Sequence, residues 1–249
     1  MSFAFIHFTQ VAFVFMRMGV NFCVAPSAHD VFLDNGALLK KVASHPKCKF
    51  VTYQSYYHLK KYKEWGIPKP KVYYPIPIRI SLFNRVSPFG ERIIAGGRLI
   101  PKKGLDRLST VKELTIFGEG SLMNKLKEKL PNAAFVGYLN GNELKQLMEE
   151  SWLFLCPSIV TDNNDSEGIP NILKEACLMQ LQCIASSVAG IPELSGIHLL
   201  DDWSEESIND MIDSIPKEPN VIGEKYVRNL YNPKNCVDKL LSAISLYIE

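Results

Sequence analysis

Over residues 91–249, short apolar runs alternate with longer segments whose apolar residues recur at helical spacing. The short runs predict buried strands, and the longer segments predict amphipathic helices that end at Gly or Pro. The predicted strands cover 92–95, 113–117, 134–136, 152–156 and 182–185. The predicted helices cover 121–130, 143–150, 170–180, 205–214, 224–230 and 234–248. Strands that alternate with helices in this way indicate a parallel sheet with helices on both faces.

Before residue 91 the pattern is less regular, and prolines interrupt it. Helices are predicted over 6–18, 33–42 and 55–65, and strands over 21–25, 49–53 and 72–74. The run P-I-P-I-R-I is extended, because each proline holds the residue before it out of the helical region, and 81–90 predicts a linker. The fold class is therefore α/β. We predict a partial domain over 1–85, a complete nucleotide-binding-like domain over 86–232 and a final helix over 233–249.

The composition excludes several classes of protein. Of the 249 residues, 47% are hydrophobic and the formal net charge is only +2, which excludes an intrinsically disordered chain. The 15 Gly and 15 Pro follow no period, which excludes a collagen-like or low-complexity chain. The sequence is that of a globular protein with a sizeable core.

The small net charge hides an asymmetry between the two parts of the chain. Residues 1–103 carry 16 Lys or Arg against 4 Asp or Glu, whereas residues 104–249 carry 12 against 22. Between Lys40 and Arg79, basic residues are interleaved with tyrosines. Such a segment could meet nucleic acid, an anionic membrane surface or a phosphorylated lipid. It could equally be a solvated helix face with buried tyrosines.

Cysteine usage and the N-terminal stretch bear on the compartment. The 6 Cys form no C-x-x-C pair and most lie among apolar residues, which is typical of buried thiols in a reducing compartment. His7, Gln10 and Arg17 interrupt the apolar stretch 3–25, and no basic region precedes it. It therefore fits neither a spanning helix nor a secretory signal. We expect a cytoplasmic protein, with a peripheral position at the inner face of the membrane.

Three loops are predicted to leave the carboxyl ends of strands, where parallel sheets bind ligands. In the first, A-G-G-R-L-I-P-K-K-G, Gly97 lets the backbone approach a ligand, and Arg98 and Lys103 place two cations beside it. This combination suits a diphosphate, and the alternative is a glycine turn with two solvated cations. The second loop, F-G-E-G-S, is also explained by a tight strand-to-helix turn.

The third loop ends in E-G-I-P-N-I-L-K-E-A. Pro170 begins a helix whose first N–H groups point back at the loop. Glu167 precedes that helix and Glu175 lies on its second turn, so one carboxylate can address a sugar and the other a ribose. Carboxylates accept pairs of hydrogen bonds from neighbouring hydroxyls. The alternative is a surface acid on the loop and a solvated one on the helix.

Taken in order, these segments resemble the C-terminal half of the family 4 retaining glycosyltransferases, which have GT-B architecture. The resemblance rests on G-G-R-L-x-x-x-K-G, a glycine-rich second strand end, E-G-x-P-x-x-x-x-E-A and S-S-V-A-G-I-P-E-L, and covers about residues 86–195. It implies a GT-B-like fold, with a complete C-terminal Rossmann-like domain after a truncated N-terminal α/β domain. The final helix would pack back on the N-terminal domain.

The resemblance also implies roles for individual residues. Arg98 and Lys103 would bind the donor diphosphate beside the Gly97 amide, and Glu175 would hold the ribose hydroxyls. Glu167 would contact the transferred sugar. The backbone of residues 168–171 would bind the sugar and the phosphate; this segment is Gly168, Ile169, Pro170 and Asn171. The backbone around Val136 and Tyr138, at the end of the third strand, would cradle the base.

The resemblance to the family is weakest in the N-terminal part of the chain. Members of the family carry two full Rossmann-like domains, whereas only about 85 residues precede the second domain here. The segment G-V-N-F-C-V-A-P-S-A-H-D resembles the one in which relatives place a histidine near the donor sugar. His29 is therefore a candidate catalytic residue together with Glu167, Arg98 and Lys103; the alternative for His29 is a surface loop histidine.

The favoured hypothesis is a retaining hexosyltransferase that uses a UDP- or GDP-linked sugar in cell-surface polysaccharide or glycolipid synthesis. Its acceptor would be a saccharide or a lipid-linked sugar. We expect no metal and no cofactor, because two cations and a helix N-terminus can neutralise the leaving phosphate. The alternative is a nucleotide-sugar-binding subunit whose partner chain completes the N-terminal domain. Nucleic acid is not an expected partner, since no RNA- or DNA-binding signature is present.

Overall fold

The structure is a computed structural model, and it describes residues 3–26, 34–163 and 165–248. The chain divides into two compact units, each built on one parallel sheet. The first unit comprises residues 1–77, 161–168 and 230–249. The second comprises residues 78–160 and 169–229.

The first unit contains a four-stranded parallel sheet in the order β1-β2-β3-β4. The strands are β1 (Phe3–Ile6), β2 (Asn21–Val24), β3 (Cys48–Tyr53) and β4 (Lys71–Tyr73). The helices of this unit are α1 (Ala12–Met18), α2 (Ala37–Ala43), α3 (Tyr56–Glu64) and the final helix, α9 (Pro233–Ile248).

Alternating side chains divide this sheet between two apolar layers. Phe22 and Val24 of β2 pack on one face, in a cluster with Leu39 of α2 and Tyr62 of α3. Cys23, which points the other way, packs in a second cluster with residues of β3 and α9. The sheet is therefore covered on both faces, as a parallel sheet requires.

The N-terminal stretch differs from its prediction. The helix predicted over 6–18 begins later: Phe3–Ile6 forms a strand that pairs in parallel with β2, Thr9–Val11 forms a 3-10 turn, and α1 covers Ala12–Met18. A short apolar run bounded by polar residues has no periodicity that separates a strand from a buried helix. The partner strand decides the outcome, since β2 offers the run a complete row of backbone hydrogen bonds.

The second unit contains a six-stranded parallel sheet in the order β10-β9-β8-β5-β6-β7. The strands are β5 (Arg92–Gly96), β6 (Leu114–Phe117), β7 (Ala134–Gly137), β8 (Ser151–Cys156), β9 (Gln182–Ser186) and β10 (His198–Leu200). Chain order reverses direction between β5 and β8, which pair in the middle of the sheet. This is the topological switch point at which open α/β sheets bind ligands.

Helices follow β6, β7 and β8 as the sequence predicts, and two more follow β10, with small shifts at their ends. They are α4 (Met123–Lys129), α5 (Gly141–Glu149), α6 (Asn171–Leu178), α7 (Glu205–Ser214) and α8 (Val221–Leu230). Asn140 caps α5 in a reciprocal capping box with Glu143, which fixes where the helix begins. The strand β10 was not predicted, since H-L-L is too short to show alternation.

The units do not follow the predicted domain boundaries in every detail. The chain passes to the second unit after Pro77 rather than after residue 85, and residues 161–168 belong to the first unit. A linker over 81–90 is wrong, because Phe83 is only 1% exposed and Arg85 is part of the second unit's hydrogen-bonded framework. The final helix α9 belongs to the first unit and contacts β3 and β4.

Arg85 joins the ends of several elements of the second unit. Its guanidinium donates to the carbonyl oxygens of Pro88, Met148, Glu149, Ser151 and Met179, at 2.7–3.1 Å. These carbonyls include the C-terminal ends of α5 and α6, which have no intrahelical partners of their own. The side chain therefore satisfies five acceptors at once.

The cysteine side chains and the lengths of the helices bear on two further predictions. All six cysteines are free and buried, which confirms the interpretation of them as core thiols. Within the described ranges, none of the helices combines the length and the apolar character that crossing a bilayer requires.

We predict that Arg85→Met destabilises the protein by about 3 kcal/mol or more, because it leaves several half-buried carbonyls without a donor. Urea unfolding followed by circular dichroism measures the change. Arg92→Met is the matched control: Arg92 makes an exposed ion pair with Glu150, so its loss costs about 1 kcal/mol at most. Equal effects of the two substitutions would contradict the role given to Arg85.

Candidate functional site

The carboxyl edge of the second sheet gathers the loops that carry the predicted site residues. All six strands run in parallel, so the loops after β5, β6, β7 and β8 leave from the same edge. The loop after β5 and the start of the loop after β8 flank the switch point. A ligand at this edge meets main-chain N–H groups and the amino ends of helices.

Glycines allow the loops after β5 and β6 to touch through their backbones. Gly97 and Gly118 have φ values of +115° and +107°, which side chains rarely tolerate. A Cβ at residue 118 would lie inside van der Waals contact of the Gly97 carbonyl oxygen. The Gly97 amide in turn donates to the carbonyl oxygen of Phe117, at 3.1 Å. The two loops therefore hold each other in place.

Lys103 turns back onto the start of its own loop. The short 3-10 helix Pro101–Lys103 ends at Gly104, whose φ is +60°. The Lys103 side chain is only 8% exposed, and a Cβ at Gly97 would lie 3.9 Å from its Nζ atom. Arg98, by contrast, is exposed. Lys103 thus gives the glycine turn a fixed positive charge, and Arg98 adds a second charge on the solvent side.

The loop after β5 is also tied to the loop after β8. The amide of Ile159 donates to the carbonyl oxygen of Lys102, at 2.9 Å. A Cβ at Gly104 would meet the carbonyl oxygen of Pro157 well inside contact distance, so only glycine fits there. Backbone contacts therefore join the loops on both sides of the switch point.

The helix that follows β8 has no side-chain cap. Pro170 occupies the N-cap position of α6 and offers no side-chain acceptor, while the amides of Leu173 and Lys174 reach the Pro170 carbonyl at 3.2 and 3.3 Å. The amides of Asn171 and Ile172 precede them in the first turn. An uncapped first turn and the helix dipole together favour an anion at this position.

Glu175 lies one turn further along α6 and is half-buried. Burial raises its pKa, while Lys174 and Arg79 oppose that rise through their positive charges. The Arg79 guanidinium also lies at the start of α5, where a Cβ at Gly141 would be 3.4 Å from its Nη2 atom. Arg79 therefore belongs to the surroundings of Glu175, although no sequence motif identified it.

Two further predicted residues lie at the end of β7. Val136 and Tyr138 are 42% and 70% exposed, although both are large and apolar. The strand end between them is fixed, because the Gly118 amide donates to the carbonyl oxygen of Gly137. Their exposed side chains flank the same loop system as Gly97.

The remaining predicted residues lie elsewhere. Glu167 and Gly168 belong to the first unit, in its segment 161–168, whereas Ile169, Pro170 and Asn171 belong to the second unit. His29 lies outside the described residues. In the described part of the chain, no group of three or more His, Cys, Asp or Glu side chains is arranged to hold a metal ion. The assigned roles of the site residues stay predictions.

Comparisons with known proteins identify the family to which the chain is similar. Residues 91–215 match the model of the family described as "Glycosyl transferases group 1". The amylovoran biosynthesis glycosyltransferase AmsK of Erwinia amylovora is 34% identical over 128 residues, which cover 45% of this chain and 31% of that protein. The putative colanic acid biosynthesis glycosyltransferase WcaL of Escherichia coli is 29% identical over 118 residues. The matched stretches thus span about a third of these curated relatives, 31% and 29% of their lengths.

Solved structures share the fold at low sequence identity. Sucrose-phosphate synthase of Thermosynechococcus elongatus has a TM-score of 0.79 at 14% identity, over 98% of this chain and 73% of that one. HepE of Anabaena, in complex with UDP-glucose, has a TM-score of 0.80 at 13% identity, over 98% of this chain and 79% of that one. These are GT-B structures, so the predicted fold class is confirmed.

We predict that Gly118→Ala lowers the melting temperature far more than Gly137→Ala. Both residues have positive φ, at +107° and +74°, so both substitutions add backbone strain of about 1–2 kcal/mol. Only the Cβ at residue 118 meets backbone, since nothing lies within 4 Å of a Cβ at residue 137. Scanning calorimetry of the two variants measures the difference. Equal melting temperatures would show that the loops after β5 and β6 are not locked together.

Proposed function

Because the chain belongs to the glycosyl transferases group 1 family and has the GT-B fold, we propose that it transfers a hexose from a nucleotide-diphosphate sugar. The acceptor is a saccharide or a lipid-linked sugar, and the product is a cell-surface polysaccharide or glycolipid. The observation that carries the proposal is the position of Lys103. Its buried ammonium lies against the Gly97 backbone, at the switch point of the second sheet.

The donor diphosphate binds at the carboxyl edge of the second sheet. The Lys103 ammonium binds one phosphate through its charge, and the planar Arg98 guanidinium donates two parallel hydrogen bonds to the diphosphate. The uncapped first turn of α6 contributes the N–H groups of Asn171 and Ile172 and the positive end of its dipole. Together they supply the positive charge that a leaving diphosphate requires.

In the transfer step, the bond between the anomeric carbon and the β-phosphate oxygen breaks, and its electron pair stays on that oxygen. An acceptor hydroxyl forms the new bond on the same face of the sugar, and its proton passes to the departing phosphate oxygen. The anomeric configuration is therefore retained. Charge on the phosphate grows along this path, so cations already fixed beside it lower the barrier. We propose that the step is metal-independent, because these groups perform the neutralisation.

The nucleoside part lies along α6 and β7. Glu175 accepts hydrogen bonds from the ribose hydroxyls; burial raises its pKa, and the positive charges of Lys174 and Arg79 oppose that rise. The exposed side chains of Val136 and Tyr138 flank the base. HepE of Anabaena is described in complex with UDP and with UDP-glucose, which favours a uridine donor here.

Two residues complete the proposed machinery. Glu167 contacts the transferred hexose, and His29 lies close to it. Both assignments rest on the family resemblance of their sequence segments. The polysaccharide role rests on the relatives, which are named for amylovoran and colanic acid biosynthesis. We further propose a cytoplasmic protein that lies peripherally at the inner membrane face, because residues 1–103 carry 16 Lys or Arg against 4 Asp or Glu.

Ligand-induced stabilisation tests the donor site. UDP at about 100 times its dissociation constant should stabilise the protein by roughly 2.7 kcal/mol, and GDP should stabilise it less. Lys103→Ala should weaken UDP binding by about ten- to a hundredfold, since it removes a charge-assisted hydrogen bond, and should abolish hexose transfer from UDP-glucose. Lys112→Ala is the matched control, because Lys112 is exposed and precedes the opposite end of β6.

Three results would contradict the proposal: no stabilisation by either nucleotide, unchanged UDP binding in Lys103→Ala, or transfer that chelation of divalent metals abolishes. If GDP stabilised the protein more than UDP does, only the proposed uridine base would be wrong, and the rest of the proposal would stand.

We predict that Glu175→Gln stabilises the protein at pH 7 while it weakens UDP binding. Burial raises the folded-state pKa of Glu175 above its ordinary value of 4.5, so the folded protein holds this proton more tightly than the unfolded chain does. As the pH rises above 4.5, ionisation of Glu175 therefore lowers the free energy of unfolding. Glutamine does not ionise, so the variant does not lose this stability.

Urea unfolding between pH 4 and pH 8 measures the effect. The advantage of Glu175→Gln should be absent at pH 4, where the carboxyl is protonated in both states, and should grow as the pH rises. Glu128→Gln is the control, because Glu128 is exposed on α4. A variant less stable than the wild type at pH 7 would contradict the reasoning.

A further inference from the structure

The second unit contains a cavity at the amino edge of its sheet, where the strands begin. Its volume is about 580 Å³, within the range of sites that take a small organic molecule. It lies at the first residues of β9 and β10, and the connection between α7 and α8 supplies the rest of its lining. The carboxyl edge, with the proposed donor site, is at the other end of these strands. The polar and apolar side chains of the lining include Gln182, Ile197, His198, Glu218, Val221 and Ile222.

Asn220 fixes the shape of this cavity. Its Nδ2 atom donates to the carbonyl oxygens of Leu181 and Gly196, at 3.0 and 2.6 Å, and its Oδ1 atom accepts from the Gly223 amide at 2.9 Å. Gly196 and Gly223 also touch, since a Cβ at residue 196 would lie inside van der Waals contact of the Gly223 nitrogen. These contacts join the segments before β9 and β10 to the start of α8. The cavity is therefore preformed, which reduces the entropy that binding costs.

A chain of hydrogen bonds fixes the tautomer of His198. The Gln182 Nε2 atom donates to the carbonyl oxygen of Glu218, at 2.9 Å, so the Gln182 Oε1 atom faces His198. The His198 Nε2 atom lies 3.1 Å from that oxygen and must therefore be the donor. Burial lowers the pKa of His198, so the ring is neutral at pH 7 and its Nδ1 atom is an acceptor.

The side chains of the cavity offer acceptors to a ligand rather than donors. Gln182, His198 and Asn220 each already donate within the protein. Among the residues that the structure describes, none donates to the Nδ1 atom of His198. A ligand that satisfies this cavity must therefore bring hydrogen-bond donors of its own.

The cavity also carries a negative charge. Glu218 is exposed at its rim, and no Lys, Arg or His side chain in the described ranges pairs with this carboxylate. The adjacent cation, Lys217, pairs with Glu91 instead and lies over the ring of Trp152. The charge of the rim therefore favours a cation and disfavours an anion.

Apolar side chains complete the lining. Val221 and Ile222 are the first two residues of α8, and they are 41% and 70% exposed. Ile197 is half-buried beside them in the same cavity. Exposed apolar side chains that gather at a cavity with a polar rim are typical of a binding site.

We propose that this cavity binds a small organic amine with an apolar body. The N–H groups of the amine donate to the His198 Nδ1 atom and to the Glu218 carboxylate. The apolar body packs against Ile222 and its neighbours. The site is formed within the second unit, is separated from the donor site by the length of the strands, and does not depend on the proposed function.

Isothermal titration calorimetry on the full chain tests the site with tryptamine, which joins an ammonium group to an apolar ring system. Indole-3-acetate is the matched probe, because it has the same ring system with the opposite charge. Tryptamine should bind about tenfold more tightly than indole-3-acetate, since only tryptamine brings the charged donor. Methylamine, which lacks the apolar body, should show no measurable binding.

Three substitutions locate the site. His198→Phe keeps an aromatic ring without the acceptor, and should weaken tryptamine binding about tenfold. Ile222→Ser should weaken it about threefold through lost apolar contact. Glu218→Gln should also weaken it about threefold, and should strengthen the binding of indole-3-acetate. Because Ile222 and Glu218 are exposed, these two variants should fold normally even if His198→Phe does not.

Two controls match these variants. Val86→Ser removes a 76% exposed apolar side chain of the second unit outside the cavity, and Glu128→Gln removes an exposed carboxylate on α4. Neither should change tryptamine binding.

The UDP-induced rise in melting temperature separates the two sites. The same rise in the wild type and in the cavity variants, with weaker tryptamine binding only in the variants, would support the amine site. A protein that tryptamine binds but UDP does not stabilise would leave the amine site standing and contradict the donor site. Absent tryptamine binding, binding unchanged in Ile222→Ser and Glu218→Gln, equal affinity for the two indoles, or displacement of tryptamine by UDP would each overturn the amine site.

Discussion

The carbonyl oxygen of Gly97 lies where a side chain at position 118 would have to be, and the geometry of the candidate site depends on this contact. It brings the loop after β5 against the loop after β6, and the Gly118 amide extends the connection to Gly137 at the end of β7. Three strand ends are thereby held at fixed spacing. Because these contacts fix the backbone of the loops, side chains such as Lys103 are held in one position.

The second constraint is electrostatic and works against stability. Glu175 is half-buried, and burial raises its pKa, yet the proposed contact with ribose hydroxyls needs an acceptor. The nearby charges of Lys174 and Arg79 offset part of that cost. A site of this kind lowers the stability of the empty protein, and the ligand restores it when its hydroxyls replace lost water.

Much of the fold could be predicted from the sequence because the signals were local. In the second unit, each of five strands was a separate apolar run and each connecting helix had a recognisable end, as with the capping box of Asn140. The failures have physical reasons. β1 owes its conformation to pairing with β2, and Arg85 owes its burial to carbonyls that lie more than sixty residues away in the sequence.

The same division applies to the site. The glycines and the cations of 96–104 form a local pattern, so the sequence alone pointed to them. Arg79 acts through a contact with Gly141 and a charge effect on Glu175, and neither relation has a sequence spacing that could be recognised. Likewise, the tyrosines between residues 53 and 73 suggested only a basic, aromatic surface. Tyr53 and Tyr73 meet through the register of β3 with β4, which no single-strand pattern contains.

The charge of the site is opposite to that of the sequence around it. Residues 104–249 carry 12 basic against 22 acidic residues, yet Lys102, Lys103 and Lys174 are only 3%, 8% and 2% exposed. Buried ammonium groups act at short range with little screening, whereas exposed carboxylates are screened within about 8–10 Å. Two of these lysines lie in the loop after β5 and the third lies on α6. The buried cations of the loop after β5 and of α6 are therefore opposite in sign to the net charge of residues 104–249.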